Sequence, residues 1–274
     1  MSNTLICDMH VHTRFSCDSE TGMEAYCLRA LQLGVGTVCF TDHVDHNPRD
    51  YGFGYYDSGA YFEELRLARE RFGGRLRLLA GLEFSEPHVY PREFEAYAKL
   101  PYDFIIGSVH YWHEDLFPSE MMANGIPAEV CYRGYWREVR RALEFGGFDC
   151  LGHIDFPKRY YGELLYDEAE MLEIVSLMVD NGICLEINTS SLRKGLAEPM
   201  PGRGMLALYR AAGGMYATIG SDAHRPEDLA EGRETALELL NTVGLQEVIY
   251  AGRKPEPIVN NPEARHLSQG NRNI

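Results

Sequence analysis

The sequence predicts an α/β fold in which seven strand–helix units form one TIM-barrel-like parallel barrel. Strand patterns alternate with helical patterns along the chain, and the strands are short and apolar, as buried parallel strands are. No internal repeat or mid-chain linker interrupts the series. A chain of 274 residues can hold one large barrel or two small domains. We expect a single barrel domain over residues 1–258, followed by a polar C-terminal tail over residues 259–274.

Seven apolar runs predict the strands. They are Leu5–Asp8, Thr37–Thr41, Leu76–Glu83, Phe104–Val109, Cys150–Gly152, Ile183–Ile187 and Tyr216–Ile219. Most of these runs end in, or are followed at once by, a histidine or a carboxylate. In a parallel barrel the C-terminal ends of the strands form one rim, which is where the functional residues of such barrels lie.

Helical patterns fall between the strands. They are Met23–Leu33, Tyr61–Phe72, Pro91–Leu100, Glu129–Phe145, Asp167–Asn181, Met205–Ala212 and Glu227–Leu240. In the fifth, apolar residues recur with the 3.6-residue period of an amphipathic helix. A glycine follows most of them, as is typical of helix C-termini. The loops 47–59 and 111–127 are long and aromatic, and we expect them to roof the pocket.

Composition and charge exclude several classes of protein. The net charge of -15 disfavours nucleic acid as a partner, because no basic stripe is present to displace counterions. No apolar stretch is long enough to span a bilayer, and the N-terminus lacks the pattern of a secretion signal. The seven cysteines are scattered and odd in number, which favours a reducing compartment. We therefore expect a cytoplasmic protein, with a homo-oligomer possible and no nucleic-acid or membrane partner.

Six short blocks combine histidine with aspartate or glutamate. They are Asp8-Met9-His10-Val11-His12, Thr41-Asp42-His43, Gly81-Leu82-Glu83, Gly107-Ser108-Val109-His110, Gly152-His153-Ile154-Asp155 and Ser221-Asp222-Ala223-His224. Imidazole and carboxylate are the side chains that hold divalent metals of hard and borderline character. Six such blocks, each near the end of a strand, predict a hydrolytic centre with more than one metal ion.

Spacing within the blocks indicates which side chains share a face. His10 and His12 are two residues apart, so on a strand both point the same way. The same spacing relates Asp222 and His224. Glu83 ends a long apolar run, and a carboxylate emerging there can bridge two metals.

Other residues near these blocks leave alternatives open. Asp18 lies in the loop after His12 and is the favoured ligand there, with Cys17 as its competitor. Asp8 is expected to orient a histidine rather than to bind metal.

The order of the blocks resembles the polymerase and histidinol phosphatase (PHP) superfamily over essentially the whole chain. The resemblance implies a distorted (β/α)7 barrel with three divalent metal ions, for which manganese, iron and zinc are all plausible. It implies a first site of His10, His12, Glu83 and Asp222, a second of Glu83, His110 and His153, and a third of Asp18, His43 and His224. Some relatives carry histidine in place of Asp18, so the third site is expected to be the most variable.

Two further stretches resemble the histidinol-phosphate phosphatase branch of this superfamily. They are residues 152–160 and 185–195, which contain Arg159 and Arg193. In that branch two arginines grip the substrate phosphate, and guanidinium forks suit phosphate oxygens. Ser191 replaces a usual glycine, and the segment after Glu83 lacks a common glycine-bearing turn, so the substrate is less constrained than the fold.

These features predict a phosphomonoesterase that acts on L-histidinol phosphate, a small phosphorylated substrate, as a step of histidine biosynthesis. Glu83, Asp222 and His224 are the expected catalytic residues. The nearest alternative is the same centre acting on another ester, such as a nucleoside monophosphate, a short oligonucleotide or a phosphotyrosine. A non-catalytic metal-binding module would lack one or more ligands, whereas this chain has a complete set. An amidohydrolase barrel would normally need a lysine or another bridging group after a middle strand, and the sequence places none there.

Overall fold

The computed structural model describes residues 6–112 and 116–258. The strands are β1 (Ile6–Val11), β2 (Val35–Phe40), β3 (His43–Val44), β4 (Arg77–Ser85), β5 (Phe104–Ser108), β6 (Cys150–Leu151), β7 (Cys184–Asn188), β8 (Tyr216–Gly220), β9 (Gln246–Ala251) and β10 (Lys254–Pro257). All seven predicted strands are present. The expected tail, 259–274, lies outside the described residues.

Seven parallel strands form the frame of the barrel, in the order β1, β2, β4, β5, β6, β7, β8. Backbone hydrogen bonds link the two ends of this series: Asp222 N donates to His10 O and His12 N donates to Ala223 O, both at 2.8 Å. β9 adds to β8 in parallel, β10 returns antiparallel to β9, and β3 pairs with β4. The sequence did not predict these three additional strands.

The helices pack around the strands. They are α1 (Met23–Leu33), α2 (Ser58–Phe72), α3 (Pro91–Ala98), α4 (Pro118–Ala123), α5 (Ala128–Phe145), α6 (Lys158–Tyr161), α7 (Glu168–Asp180), α8 (Ser190–Arg193), α9 (Arg203–Ala211) and α10 (Arg233–Val243). The seven predicted helices are all present, but α10 begins later than predicted. A short 3-10 turn at Pro226–Asp228 and a left-handed Gly232 (φ 72°) precede it. The short helices α4, α6 and α8 were not predicted.

Two apolar layers stabilise this arrangement. A larger layer packs the helices against the outer face of the strands, with Tyr26, Tyr61 and Trp136 among its largest side chains. A smaller cluster, which includes Met9 and Phe104, gathers inward-facing residues of several strands. Within the described residues, no helix is long and apolar enough to cross a membrane.

Candidate metal centre

The predicted metal-binding side chains converge at the C-terminal ends of the strands, on one pocket of about 790 Å³. Seven of them line the pocket directly: Asp18, His43, Glu83, His110, His153, Asp222 and His224. His10 and His12 are fully buried beside Glu83 and Asp222. The barrel topology therefore brings together residues that lie up to 214 positions apart in the sequence.

His10 and His12 form the deepest group. Their Nε2 atoms are 2.9 Å apart. Oε2 of Glu83 lies 3.2 Å from Nε2 of His10. Oδ1 of Asp222 lies 3.3 Å from Nε2 of His12.

The other carboxylate oxygen of Glu83 faces a second pair of histidines. Oε1 lies 2.9 Å from Nε2 of His153 and 3.6 Å from Nε2 of His110. The two imidazole nitrogens are 3.4 Å apart. Glu83 therefore stands between two groups of imidazoles, as a bridging carboxylate would.

A third group lies nearer to solvent. Oδ2 of Asp18 is 2.9 Å from Nε2 of His224 and 3.8 Å from Nε2 of His43. His43 also reaches inward, with Nδ1 3.0 Å from Oε2 of Glu83. The rings of His43 and His224 both stack on His12, so the outer group adjoins the deepest one.

The surroundings of the loop after His12 favour Asp18 over Cys17 as a candidate ligand. Both side chains line the pocket. Burial and the nearby Asp18 and Asp45 carboxylates raise the pKa of Cys17 to about 12, which disfavours the thiolate form that binds metal. Burial opposes charge on Asp18, but His224 and His43 hold its pKa below the usual range.

The chemistry of the donor atoms fits divalent metal ions. Nδ1 of His10 lies 2.6 Å from Oε1 of Glu186, which can only accept, so this nitrogen carries a proton. When the ring is neutral, its Nε2 then presents a lone pair toward Glu83 and His12, which also offer acceptors. Acceptor atoms converging in a buried site are stabilised by a positive charge between them, which a metal ion can supply.

The pKa shifts of two carboxylates, Glu83 and Asp222, also favour metal binding at this site. Burial opposes charge on Glu83, yet His10 and His43 hold its pKa well below the ordinary value. Burial likewise opposes charge on Asp222, while Arg159 and His12 hold its pKa well below the ordinary value. Both carboxylates are therefore ionised, the state in which they bind metal.

The imidazoles divide into two kinds. Burial, reinforced by His43 and His224, lowers the pKa of His12 well below its ordinary value, and burial lowers that of His110 to about 3. Burial opposes charge on His10, but Glu186 and other carboxylates raise its pKa well above the ordinary value. The carboxylates around His10 therefore favour a positive charge at this point, as a metal ion would supply.

Arg159 and Arg193 meet at Asp222, beside the predicted metal ligands. Arg159 Nη2 lies 2.7 Å from Oδ2 of Asp222 and 2.6 Å from Oγ of Ser190. Arg193 Nη2 donates to the backbone oxygen of Asp222 at 3.0 Å. Nε of Arg159 and Nη1 of Arg193 are buried and have no hydrogen-bond partner among the described residues. Lys194, which the sequence analysis did not single out, also lines this side of the pocket.

Residues of the two long loops, 47–59 and 111–127, also line the pocket. Asp50 and Tyr51 come from the loop 47–59, and Tyr111, Phe117 and Glu120 from the described part of the loop 111–127. These loops bring carboxylates, aromatic rings and Arg49 to the pocket, and Nη2 of Arg49 lies 3.5 Å from Oε1 of Glu120.

The structure also reveals residues that the sequence analysis missed or misjudged. Asp8 was predicted to orient a histidine; its carboxylate accepts from the backbone N–H of His10 at 3.3 Å, but its other bonds go to the backbone and hydroxyl of Ser221 and to Ala230 N rather than to an imidazole ring. These bonds tie β1 to the segment after β8. The carboxylate that does orient a histidine ring is Glu186, whose Oε1 contacts His10. A lone carboxylate inside the apolar strand 184–188 was the available signal.

Two of the expected ligands have unusual backbones. His153 and Asp222 have positive φ values, 22° and 54°. Left-handed backbone at a residue with a side chain is strained, and such strain concentrates at functional sites. Both residues are held by their surroundings: His153 N donates to Oε2 of Glu186 at 2.7 Å, and Asp222 N to His10 O.

A parallel barrel with imidazoles and carboxylates gathered at its C-terminal rim defines a class of metal-binding barrels. This chain belongs to the PHP domain family, whose model matches residues 8–190. The predicted family is therefore confirmed.

Named relatives and a solved structure resemble the chain over most of its length. A protein of Deinococcus radiodurans named "Probable histidinol-phosphatase" is 32% identical over 273 residues, which is 93% of this chain and 100% of the relative. The histidinol-phosphatase of Lactococcus lactis is 26% identical over 79% of this chain and 83% of its own. The crystal structure of histidinol phosphate phosphatase from Lactococcus lactis, complexed with zinc, L-histidinol and phosphate, superposes with a TM-score of 0.82 at 25% identity. It covers 92% of this chain and 98% of that one. This likeness confirms the predicted fold class.

Proposed function

We propose that this protein is a metal-dependent phosphomonoesterase that hydrolyses L-histidinol phosphate to L-histidinol and inorganic phosphate, a reaction of histidine biosynthesis. The observation that carries the proposal is the double role of Asp222. Oδ1 of this carboxylate faces His12 in the candidate metal centre, and Oδ2 holds Arg159, a candidate phosphate ligand. Metal ions and phosphate would therefore share one site. The Lactococcus relative, whose crystal contains zinc, L-histidinol and phosphate, supports the choice of substrate.

Three divalent ions, of manganese, iron or zinc, are the proposed cofactors. The first would be held by His10, His12, Glu83 and Asp222, the second by Glu83, His110 and His153, and the third by Asp18, His43 and His224. When bound, such ions polarise phosphoryl oxygens and supply hydroxide at neutral pH by lowering the pKa of bound water.

Arg159 and Arg193 would bind and orient the phosphate group. Each has a buried N–H without a hydrogen-bond partner among the described residues, and a buried guanidinium donor is costly unless an anion accepts from it. Their forks match phosphate oxygens in a bidentate arrangement. Ser190 fixes the direction of Arg159 through its 2.6 Å contact with Nη2.

Glu83, Asp222 and His224 are the proposed catalytic residues. Glu83 and Asp222 keep their negative charge at the reacting centre, as the lowered pKa of each indicates. His224 is the most exposed of the candidate histidine ligands, with 27% of its side chain accessible, and faces the pocket. We place it where charge develops on the leaving oxygen.

The wall formed by Asp50, Tyr51, Tyr111 and Glu120 would receive the alcohol part of the substrate. L-histidinol carries an amine and an imidazole, which attract carboxylates when protonated; the ammonium can lie over the face of an aromatic ring, and the imidazole can stack on one. The aromatic rings alone would also suit a base or a phenol. A nucleoside monophosphate or a phosphotyrosine is therefore the second candidate substrate.

Steady-state phosphate release tests the proposal. The substrates are L-histidinol phosphate, AMP, phosphotyrosine and p-nitrophenyl phosphate, each with manganese, zinc or ferrous iron added. We expect a kcat/KM above about 10⁴ M⁻¹s⁻¹ for L-histidinol phosphate and far lower values for the others. Preference for AMP or phosphotyrosine would keep the phosphoesterase and replace its substrate. Slow release from all four would remove the substrate assignment.

We also propose that the protein has a single barrel domain and lies in the cytoplasm. It would bind no nucleic acid, and it could form a homo-oligomer. The charge of -15 supports the exclusion of nucleic acid.

A further inference from the structure

His12 is connected to a buried aspartate through a serine. Nδ1 of His12 lies 3.0 Å from Oγ of Ser16, and this hydroxyl donates to Oδ1 of Asp42 at 2.9 Å. The same Oγ accepts from the backbone N–H of His43 at 3.0 Å. His12, Ser16 and Asp42 are all fully buried.

His110 has the same arrangement on the other side of the centre. Its Nδ1 lies 2.9 Å from Oγ of Ser85, and this hydroxyl donates to Oδ1 of Asp45 at 2.6 Å. Ser85 ends β4, whereas Ser16 lies in the loop after β1, and the two aspartates stand on either side of β3. The arrangement therefore occurs twice, with serines from separate segments and aspartates that flank one short strand.

The chemistry of the hydroxyl fixes the direction of each hydrogen bond. A serine hydroxyl has one proton, and an ionised carboxylate can only accept. Because the proton of Ser16 goes to Asp42, Oγ must accept from the imidazole, so Nδ1 of His12 carries a proton. The same reasoning places a proton on Nδ1 of His110.

A proton on Nδ1 leaves a lone pair on Nε2 of the neutral ring. Nε2 of His12 faces Oδ1 of Asp222 at 3.3 Å, and Nε2 of His110 faces Oε1 of Glu83 at 3.6 Å. His12 belongs to a group with His10 and Glu83, and His110 to a group with Glu83 and His153, whose possible ligand atoms lie within 4.8 Å of one another.

We propose that Ser16 with Asp42, and Ser85 with Asp45, are positioning pairs that hold His12 and His110 in the tautomer and ring orientation that binds divalent cations through Nε2. This inference rests on the metal centre of the proposed function. It assigns a role to four residues outside the predicted ligand set. His10 differs, because Glu186 contacts its Nδ1 directly.

The aspartates have further contacts, so the serines are the cleaner positions for a test. Asp42 also accepts from the backbone and hydroxyl of Thr13, which fastens the loop after β1. Ser16→Ala and Ser85→Ala remove the hydroxyl alone. Ser108→Ala is the matched control, since Ser108 is buried and pairs with Ser85 in register, but among the described residues its Oγ contacts the backbone oxygen of Phe84 and no imidazole.

The first experiment measures zinc affinity by chelator competition, with bound zinc counted by elemental analysis. We expect Ser16→Ala and Ser85→Ala each to weaken one class of zinc site about 10- to 100-fold. Ser108→Ala should match the unmodified chain. Unchanged affinity in both serine variants would overturn the proposal, as would an equal loss in Ser108→Ala.

A second experiment uses the unmodified chain, so its result does not depend on whether a variant folds. Long-range ¹H–¹⁵N NMR of the zinc-loaded protein reports which ring nitrogen carries the proton. The proposal requires protonated Nδ1 and metal-bound Nε2 on His12 and His110. The opposite tautomer on either ring would overturn the corresponding pair.

These experiments distinguish a failure of the positioning pairs from a failure of the proposed function. A chain that binds zinc but releases no phosphate from L-histidinol phosphate would fail the substrate assignment alone. A chain that binds none of zinc, manganese and iron would overturn both the metal centre and the positioning pairs.

Discussion

Nδ1 of His10 lies 2.6 Å from Oε1 of Glu186, on a strand that is not adjacent to that of His10. The strand between them carries Gly220, where any Cβ would collide with both side chains. The second oxygen of Glu186 accepts from the backbone N–H of His153 at 2.7 Å. One buried carboxylate therefore positions two candidate ligands, and the absence of a side chain at Gly220 makes this possible.

Glu186→Gln tests this role while keeping the size of the side chain. The amide removes the negative charge that fixes His10, so we expect zinc affinity to fall about 10- to 100-fold. Chelator competition measures the change. Glu173→Gln is the control, since Glu173 forms an exposed ion pair with Arg140. Equal affinities in the two variants would remove the positioning role of Glu186.

The sequence predicted much of the fold because buried parallel strands and amphipathic helices each leave a period in the pattern of apolar residues. All seven barrel strands and seven helices were found. The candidate ligands could be proposed for a related reason, since His10, Glu83 and Asp222 interrupt apolar runs at strand ends. Their convergence follows once the strands form a parallel barrel.

The sequence could not predict residue roles that depend on single contacts between distant segments, or elements of only a few residues. Ser16, Ser85 and Glu186 have no characteristic spacing, and their roles exist only where the barrel brings distant strands together. The two-residue strand β3 and the four-residue helices α6 and α8 are too short to show a period. The late start of α10 depends on the left-handed Gly232, which a pattern of apolar residues does not reveal.

Arg193→Ala is expected to raise KM and lower kcat for L-histidinol phosphate. The guanidinium has a buried unpartnered Nη1, and losing a charged hydrogen bond costs about 1.5–3 kcal/mol, or roughly 10- to 150-fold in kcat/KM. Steady-state kinetics measure both constants, with Arg66→Ala as the control because Arg66 forms exposed ion pairs on α2. If neither constant changes, the phosphate-binding role of Arg193 fails.

Removal of metal is expected to abolish phosphate release and to lower thermal stability. A ligand that binds only the folded chain stabilises it by about 2.7 kcal/mol at 100 times its Kd. The melting temperature should therefore rise when manganese or zinc is returned after treatment with a chelator, and activity should return with it. A melting temperature that does not respond to these metals would contradict a metal centre built into the folded barrel.

Asp50→Asn is expected to weaken binding of cationic substrates only. Asp50 lies on the pocket wall with Tyr51 and Tyr111, where the amine or imidazole of L-histidinol would lie. Loss of one partly exposed charge contact costs up to about 1 kcal/mol, or roughly fivefold in KM. The KM for p-nitrophenyl phosphate, which has no cationic group, should stay the same. An equal rise for both substrates would indicate a general disturbance of the loop instead.

Stability of the barrel is expected to depend on a buried ion pair of Arg233 and Glu247. Nη1 and Nη2 of Arg233 lie 2.5 and 2.7 Å from the two oxygens of Glu247, and Nη1 also donates to the backbone oxygen of Cys7 at 3.0 Å. These contacts join α10, β9 and β1. Glu247→Ala leaves a buried guanidinium without its counter-charge, which costs about 3–5 kcal/mol.

Urea unfolding in the presence of a chelator measures that cost without a contribution from metal binding. Glu256→Ala is the matched control, because Glu256 forms a similar two-bond pair with Arg77 in which both side chains are more than 40% exposed. The expected loss there is at most about 1 kcal/mol. Because Arg233 lies outside the pocket lining, metal-loaded Glu247→Ala should keep its kcat/KM at temperatures where it is folded. Equal destabilisation by the two variants would mean that burial does not distinguish these pairs.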